Sequence, residues 1–196
     1  MSEVTLQDIS RLREVTGVGI VAAKKALEAA GGSFETAVET LRKAGQKVAA
    51  SKTDRATKEG LIGHYVHANG KVAAMVTVTC ETDFVARSDV FQSLIHDLAL
   101  HVAAANPLYV RPEEVPAEVL TKEREIYREQ VAATKKPANI VEQIVNGKLD
   151  KFFEETCLLN QKFVKDDSQT VLDLVNGAIQ KLGENIQVRE FVRLSV

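Results

Sequence analysis

"GLIGHYVHANGKVAAMVTVTCE", residues 60–81, decides the fold class. Two runs rich in β-formers flank Asn69 and Gly70, and Asn-Gly is the strongest short signal for a hairpin. The pair predicts a type I′ turn with positive φ at both residues. In the second run Val72, Ala74, Val76, Val78 and Cys80 alternate with Met75, Thr77 and Thr79. That period of two puts one apolar row against a core and the other row outside, as in a half-buried antiparallel strand. The C-terminal run "NIQVREFVRLSV" alternates too and is expected to join the hairpin.

Helical patterns surround this sheet. After "TDFVARS" a helix is predicted from residue 88 or 89 to 105, with Phe91, Leu94, Ile95, Leu98 and Val102 as its stripe and Asn106-Pro107 as its stop. "VPAEVLTKEREIYREQVAATKK" reads as a long helix broken by Pro137, followed by two short segments near 140–146 and 149–155. A further helix spans 171–182 and ends at Gly183. The class is therefore α+β, an antiparallel sheet covered by helices.

Upstream, residues 5–50 read as a bundle of three short helices. Leu6, Ile9, Leu12 and Val15 mark the first. Val21 and Leu27 are expected to face inward from the second, over 20–30, which Gly31-Gly32 ends. Ser33 caps the third without a full capping box, since Thr36 stands where Glu or Gln would complete it; Val38 and Leu41 supply its buried side. Basic Arg42, Lys43, Lys47, Lys52, Arg55 and Lys58 then outnumber Asp54 and Glu59, which suggests a solvated helix end and linker. The predicted boundary separates 1–52 from 53–196.

Composition narrows the function. The chain has 196 residues, 45% of them hydrophobic, no Trp and a net charge of −2. Near-neutral charge argues against nucleic acid as a direct partner. No uncharged apolar run reaches the ~18–20 residues needed to cross a bilayer, and the N-terminus looks like neither a secretory signal nor a transit peptide. A reducing, cytoplasmic setting suits two cysteines, Cys80 and Cys157, that form no CxxC pair.

Chemistry-bearing motifs are few. Gly17, Gly19 and Ala22 match G-x-G-x-x-A, but a helix precedes them where a dinucleotide site needs a strand, so a tight helix–helix turn is expected. His64 and His67 point to opposite faces of a strand, while His96 and His101 sit off a common helix face; all four read as surface or interface histidines. Glu81, Asp83 and Asp89 have no neighbour to split their pKa values for acid–base work. An enzyme is not expected, nor a cofactor or resident metal. Phe84 stands apart, beside Asp83 where the strand gives way to a turn. It is either a core residue entering the next helix or an apolar wedge presented to a partner.

"LREVTGVGIVAAKKAL" (12–27), "CETDFVAR" (80–87) and "GENIQVR" (183–189), in that order, strongly resemble the bacterial translation elongation factor Ts family. "EGLIGHYVH", "FVKD" and Asn106-Pro107 are similar to it as well, so the resemblance runs from about residue 6 to 193. Thr77, Thr79, Lys162 and Glu190 depart from the usual pattern, which more often has Glu, Asn, Pro and Arg there. The resemblance implies a ubiquitin-associated-like bundle on an α+β core, acting as guanine-nucleotide exchange factor for elongation factor Tu. It implies that Ile20, Val21 and Lys24 contact that GTPase, and that Thr82, Asp83, Phe84 and Val85 reach its nucleotide site and disturb the bound Mg²⁺. The short form, with one core copy, implies a homodimer. The alternative is a ubiquitin-associated-like protein-binding adaptor without exchange activity.

Overall fold

The computed structural model describes residues 4–132 and 137–196. Strand β1 (Glu59–Val66) pairs antiparallel with β2 (Val72–Cys80), and β5 (Gln187–Ser195) pairs antiparallel with the other edge of β2, giving the order β1-β2-β5. The hairpin and the returning strand are as the alternation requires. The turn is not. Gly70 takes φ 67°, but among the described residues the non-glycine with positive φ is Asn106, so Asn69 does not adopt the conformation a type I′ turn needs. Gly70 N–H instead donates to His67 O at 2.8 Å, and Asn69 Oδ1 accepts from Lys71 N–H. The side chain of Asn69 thus closes a longer loop that the dipeptide rule does not anticipate.

Ala74, Val76, Val78 and Cys80 are buried on the inner face of the sheet. Helix α5 (Asp89–Ala105) covers them with Phe91, Leu94, Ile95, Leu98 and Val102, the stripe read from the sequence. It lies so close to β1 that a Cβ on Gly63 would sit 1.9 Å from Ile95 Cγ2, a contact only glycine allows. Helix α8 (Val171–Leu182) opens with a Thr170–Asp173 capping box and packs Val171, Val175 and Ile179 into the same core. Gly183 ends it at φ 77°.

Helices α1 (Leu6–Thr16), α2 (Ile20–Ala29) and α3 (Phe34–Ala50) enclose a second, smaller core of Ile9, Leu12, Ala23, Ala26, Leu27, Ala37 and Leu41. Val21 does not face inward: it is 68% exposed. Ala23, Ala26 and Leu27 carry the buried stripe, and Val21, six residues before Leu27, lies about a third of a turn away from it. Leu6 and Val15, on the outer side of α1, are exposed.

The basic stretch after Arg42 is a helix end followed by a connection, as expected: α3 runs to Ala50, its Ala49 enters the larger core, and 51–58 lead on to β1 outside any helix or strand. One segment is longer than periodicity suggests. Helix α7 (Ala138–Thr156) is one helix across Gly147 where two segments were expected. It pairs with α6 (Ala117–Ala132) through Val131, Val145 and Leu149 and the Arg128–Glu142 bridge. The expected end of that first helix, residues 133–136, lies outside the described residues. A short hairpin of β3 (Lys162–Phe163) and β4 (Asp166–Thr170) completes the fold.

Candidate functional site

Strand β2 ends at Cys80, whose side chain is fully buried; burial, then the nearby Glu184 charge, pushes its thiol up to about 11. The chain then turns through Glu81 and Thr82 into α4 (Asp83–Ala86), a single helical turn. Thr82 is its N-cap, with Oγ1 accepting from Val85 N–H at 3.3 Å. Val85 and Ala86 point into the core, and Ser88 follows as N-cap of α5. With positions 85 and 86 anchored inside, position 84 must face the other way. Phe84 is 82% exposed. Asp83 is exposed beside it and pairs with Arg87 at 2.9 Å.

The four residues Thr82, Asp83, Phe84 and Val85 are thus on one turn but not on one face. Phe84 and Asp83 look outward, Thr82 caps, and Val85 is core. Val85 cannot reach a partner while that core is intact.

Residues that sequence reasoning did not single out hold this turn in place. Glu184, just past the end of α8, accepts from Glu81 N–H at 3.1 Å and Thr82 N–H at 3.0 Å on Oε2, and from Thr82 Oγ1 at 2.6 Å on Oε1. In return Glu81 Oε1 accepts from Asn185 N–H at 2.7 Å. The buried Asn185 amide donates to Thr53 O and Arg55 O, tying in the chain that follows α3. Beneath this lies Arg189, which a bulge in β5 adds opposite Thr77 and Val78; it donates to Thr79 Oγ1 and Thr57 Oγ1. Thr79 therefore has a specific job, receiving Arg189 and pairing with Thr57 at 2.8 Å. These contacts span about a hundred residues, so no local spacing announces them. The one available signal was that "CETDF" and "GENIQVR" both place an acid beside a chain reversal.

The second group of expected contact residues begins α2. Gly17 caps α1 at φ 68°, which produces the sharp helix–helix turn expected of "TGVG". Ile20 and Val21 are 57% and 68% exposed, and Lys24, one turn on from Ile20, pairs loosely with Glu28 at 3.7 Å. The three form an apolar patch edged by a cation. None belongs to the hydrophobic cluster inside the bundle.

His64, His67 and His96 are exposed, as expected, and His101 is the exception. His101 is neither surface nor interface: it is fully buried, with Nε2 3.0 Å from Gln161 Oε1 and Nδ1 accepting from Val164 N–H. Among the described residues no group of three or more His, Cys, Asp or Glu side chains is arranged to hold a metal ion, and no helix is long and apolar enough to cross a membrane.

Residues 14–196 match the family described as Elongation factor TS. Over 194 residues, 99% of this chain and 96% of the relative, the sequence is 54% identical to Elongation factor Ts of Thermotoga petrophila. It is 50% identical over 190 residues to Elongation factor Ts of Geobacter sulfurreducens, 97% of this chain and 88% of that one. The protein of the same name from Maridesulfovibrio salexigens is 50% identical over 193 residues, covering 98% and 94%.

Proposed function

We propose, because this chain belongs to the elongation factor Ts family, that it is the guanine-nucleotide exchange factor for elongation factor Tu. It binds the GDP complex of that GTPase, weakens the hold on Mg²⁺ and phosphate, and leaves the nucleotide-free partner open to GTP. The chain makes and breaks no bond and needs no cofactor of its own; its place is the cytoplasm.

The observation that carries the reading is the orientation of Phe84. A bulky apolar ring standing in water on a one-turn helix is unfavourable unless something receives it. Burial of such a side chain yields about 1.5–3 kcal/mol. A Mg²⁺ ion demands near-ideal octahedral geometry, so a wedge that shifts its supporting loops weakens it sharply. Asp83 accompanies the ring as its polar neighbour. Ile20, Val21 and Lys24 supply a separate grip through the bundle, where two exposed aliphatic side chains beside an ammonium suit an apolar hollow with an acidic edge. Coupling is reciprocal: if the factor loosens GDP, nucleotide loosens the factor to the same degree, and the cycle can turn over.

A homodimer completes the reading. The outer face of the sheet carries Ile62, Val66, Met75, Val192 and Leu194, all exposed, in register across its three strands. A second copy laid sheet to sheet covers this face in both chains at once, as a two-fold requires.

The test loads elongation factor Tu with fluorescent GDP, adds this protein and excess unlabelled nucleotide, and follows release. Wild type accelerates release. Phe84→Ala slows the stimulated rate about 10–100-fold, the kinetic equivalent of the lost burial. Equal rates for wild type and Phe84→Ala remove the wedge. Binding without any acceleration by wild type replaces exchange with the adaptor reading.

A further inference from the structure

A single helical turn cannot hold its own shape. Forming the first turn fixes several dihedral angles for one hydrogen bond, and isolated helices become stable only at about 12–15 residues. Helix α4 has four. Something outside it must therefore determine where Phe84 points. On the C-terminal side the constraint is apolar: Val85 and Ala86 are sunk in the core. On the N-terminal side it is a carboxylate. Glu184 meets the two residues immediately before α4 with three hydrogen bonds, using both oxygens.

Backbone N–H groups of Glu81 and Thr82 converge on Oε2, and the third bond passes through the hydroxyl of Thr82. That same hydroxyl oxygen accepts from Val85 N–H within α4. Glu184 thus acts on the cap, and the cap acts on the helix that bears the ring. Each link to the carboxylate is charge-assisted and worth roughly twice a neutral hydrogen bond. Glu184 itself is held by its place in the chain. Gly183 before it takes the left-handed conformation that ends α8, with Lys52 Nζ donating to its carbonyl at 2.5 Å. Asn185 after it is fixed by Glu81 from the other direction and by Thr53 O and Arg55 O. Two acids a hundred residues apart exchange backbone contacts, and both strands of the exchange lie at the root of α4.

We propose that Glu184 is a positioning residue for exchange. It touches no nucleotide and no partner, and its carboxylate sets the angle at which α4 presents Phe84. The inference rests on the exchange reading above and assigns that site a determinant within this chain. Loss of the carboxylate leaves the ring in place chemically and free to wander sterically. Its signature is a lowered maximal effect without a matching loss of affinity, because the grip made by the bundle is untouched.

The test compares wild type, Glu184→Ala, Glu184→Gln and Phe84→Ala, with the double variant of Glu184→Ala and Phe84→Ala. The stimulated rate of fluorescent GDP release from elongation factor Tu is measured against factor concentration. Glu184→Ala is expected to lower the maximal rate about tenfold while the half-saturating concentration moves less than about threefold. Glu184→Gln keeps the shape, an acceptor for both N–H groups and a donor for the hydroxyl, so it recovers most of the lost rate. The double variant is expected to match Phe84→Ala alone, since a ring that is absent cannot be misaimed. In the free protein, amide hydrogen exchange at Glu81 and Thr82 quickens in Glu184→Ala and stays slow in Glu184→Gln.

Full exchange activity in Glu184→Ala overturns the proposal. So does a double variant in which the two losses simply multiply, which marks general destabilisation. If wild type fails to accelerate release, the exchange reading falls instead, and amide protection reports on the carboxylate's hold independently. Should Glu184→Ala not fold, Glu184→Asp replaces it: a side chain shorter by one methylene cannot meet all three donors, and undiminished activity in that variant likewise overturns the proposal.

Discussion

The imidazole of His101 sits between Val164 N–H, which donates to Nδ1 at 3.2 Å, and Gln161 Oε1, 3.0 Å from Nε2. An Nδ1 that accepts carries no proton, so the ring is neutral, with its one hydrogen on Nε2 facing Gln161. Burial disfavours the charged form and lowers the pKa from its ordinary 6.5; the Gln161 contact opposes this more weakly. The sign follows. The unfolded chain takes up a proton at higher pH than the folded one, so this contribution to stability is complete above about pH 6.5 and declines as pH falls below it. We expect the urea midpoint to drop between pH 7 and pH 5, with the ring titrating at lower pH than a free imidazole by its NMR shift. A ring already charged at pH 7 contradicts this. His101 also shows what a sequence discloses at this scale. It stands three residues after Leu98 and seven after Leu94, on the very stripe that was read as buried, so its burial was legible. Its partners, some sixty residues away, were not. Phe84 is the opposite case: its neighbours in sequence leave it open between core and wedge, and the anchoring of Val85 and Ala86 in the core is what turns it outward.

Among the elements, those with strict periodicity emerged with their bounds nearly as read: β2, α5 and α8 each bury one face of a large core. The misread element is one where a local breaker is overruled. Helix α7 passes through Gly147, which meets nothing within 4 Å at its missing Cβ. Packing of Val145 and Leu149 on either side holds the helix through the glycine. Gly147→Ala therefore adds helix propensity without a clash and should raise stability by about 0.5–1 kcal/mol, read as a higher urea midpoint. A lowered midpoint would mean that α7 is broken at that point in solution. In α3 the basic residues do mark a solvated face, with Lys43 and Lys47 outside, while the same helix buries Gly45 and Ala49. Stem and stripe were both present in the sequence, but the stripe is written in Gly and Ala, which a search for large apolar residues passes over.

For the whole molecule, the sheet has one face under α5 and one bare. Met75 lies at the middle of the bare face, flanked in register by His64 and Val192. A charge there costs little in a solvated monomer, where Met75 is about half exposed, and much in a dry sheet-to-sheet contact. We expect Met75→Asp to keep its far-UV circular dichroism while light scattering shows the 21.4 kDa monomer in place of a mass twice as large. A wild-type protein that is already monomeric at micromolar concentration rules the dimer out. The α+β class and the order of elements could be read in advance because they rest on period. The site could be read only in part, because its outward residues are local and its supports are not.

Helix α3 has one further consequence. Its N-terminal half closes the small core with Ala37 and Leu41, and its C-terminal half enters the large one with Ala49. One rigid rod of 17 residues, about 25 Å by the helical rise, thus joins both halves of the molecule. The span between the patch at Ile20 and the ring of Phe84 is then held like the jaws of a caliper, set before any encounter. On the proposed reading, a target of matching width would meet both points with no freedom lost in bringing them into line.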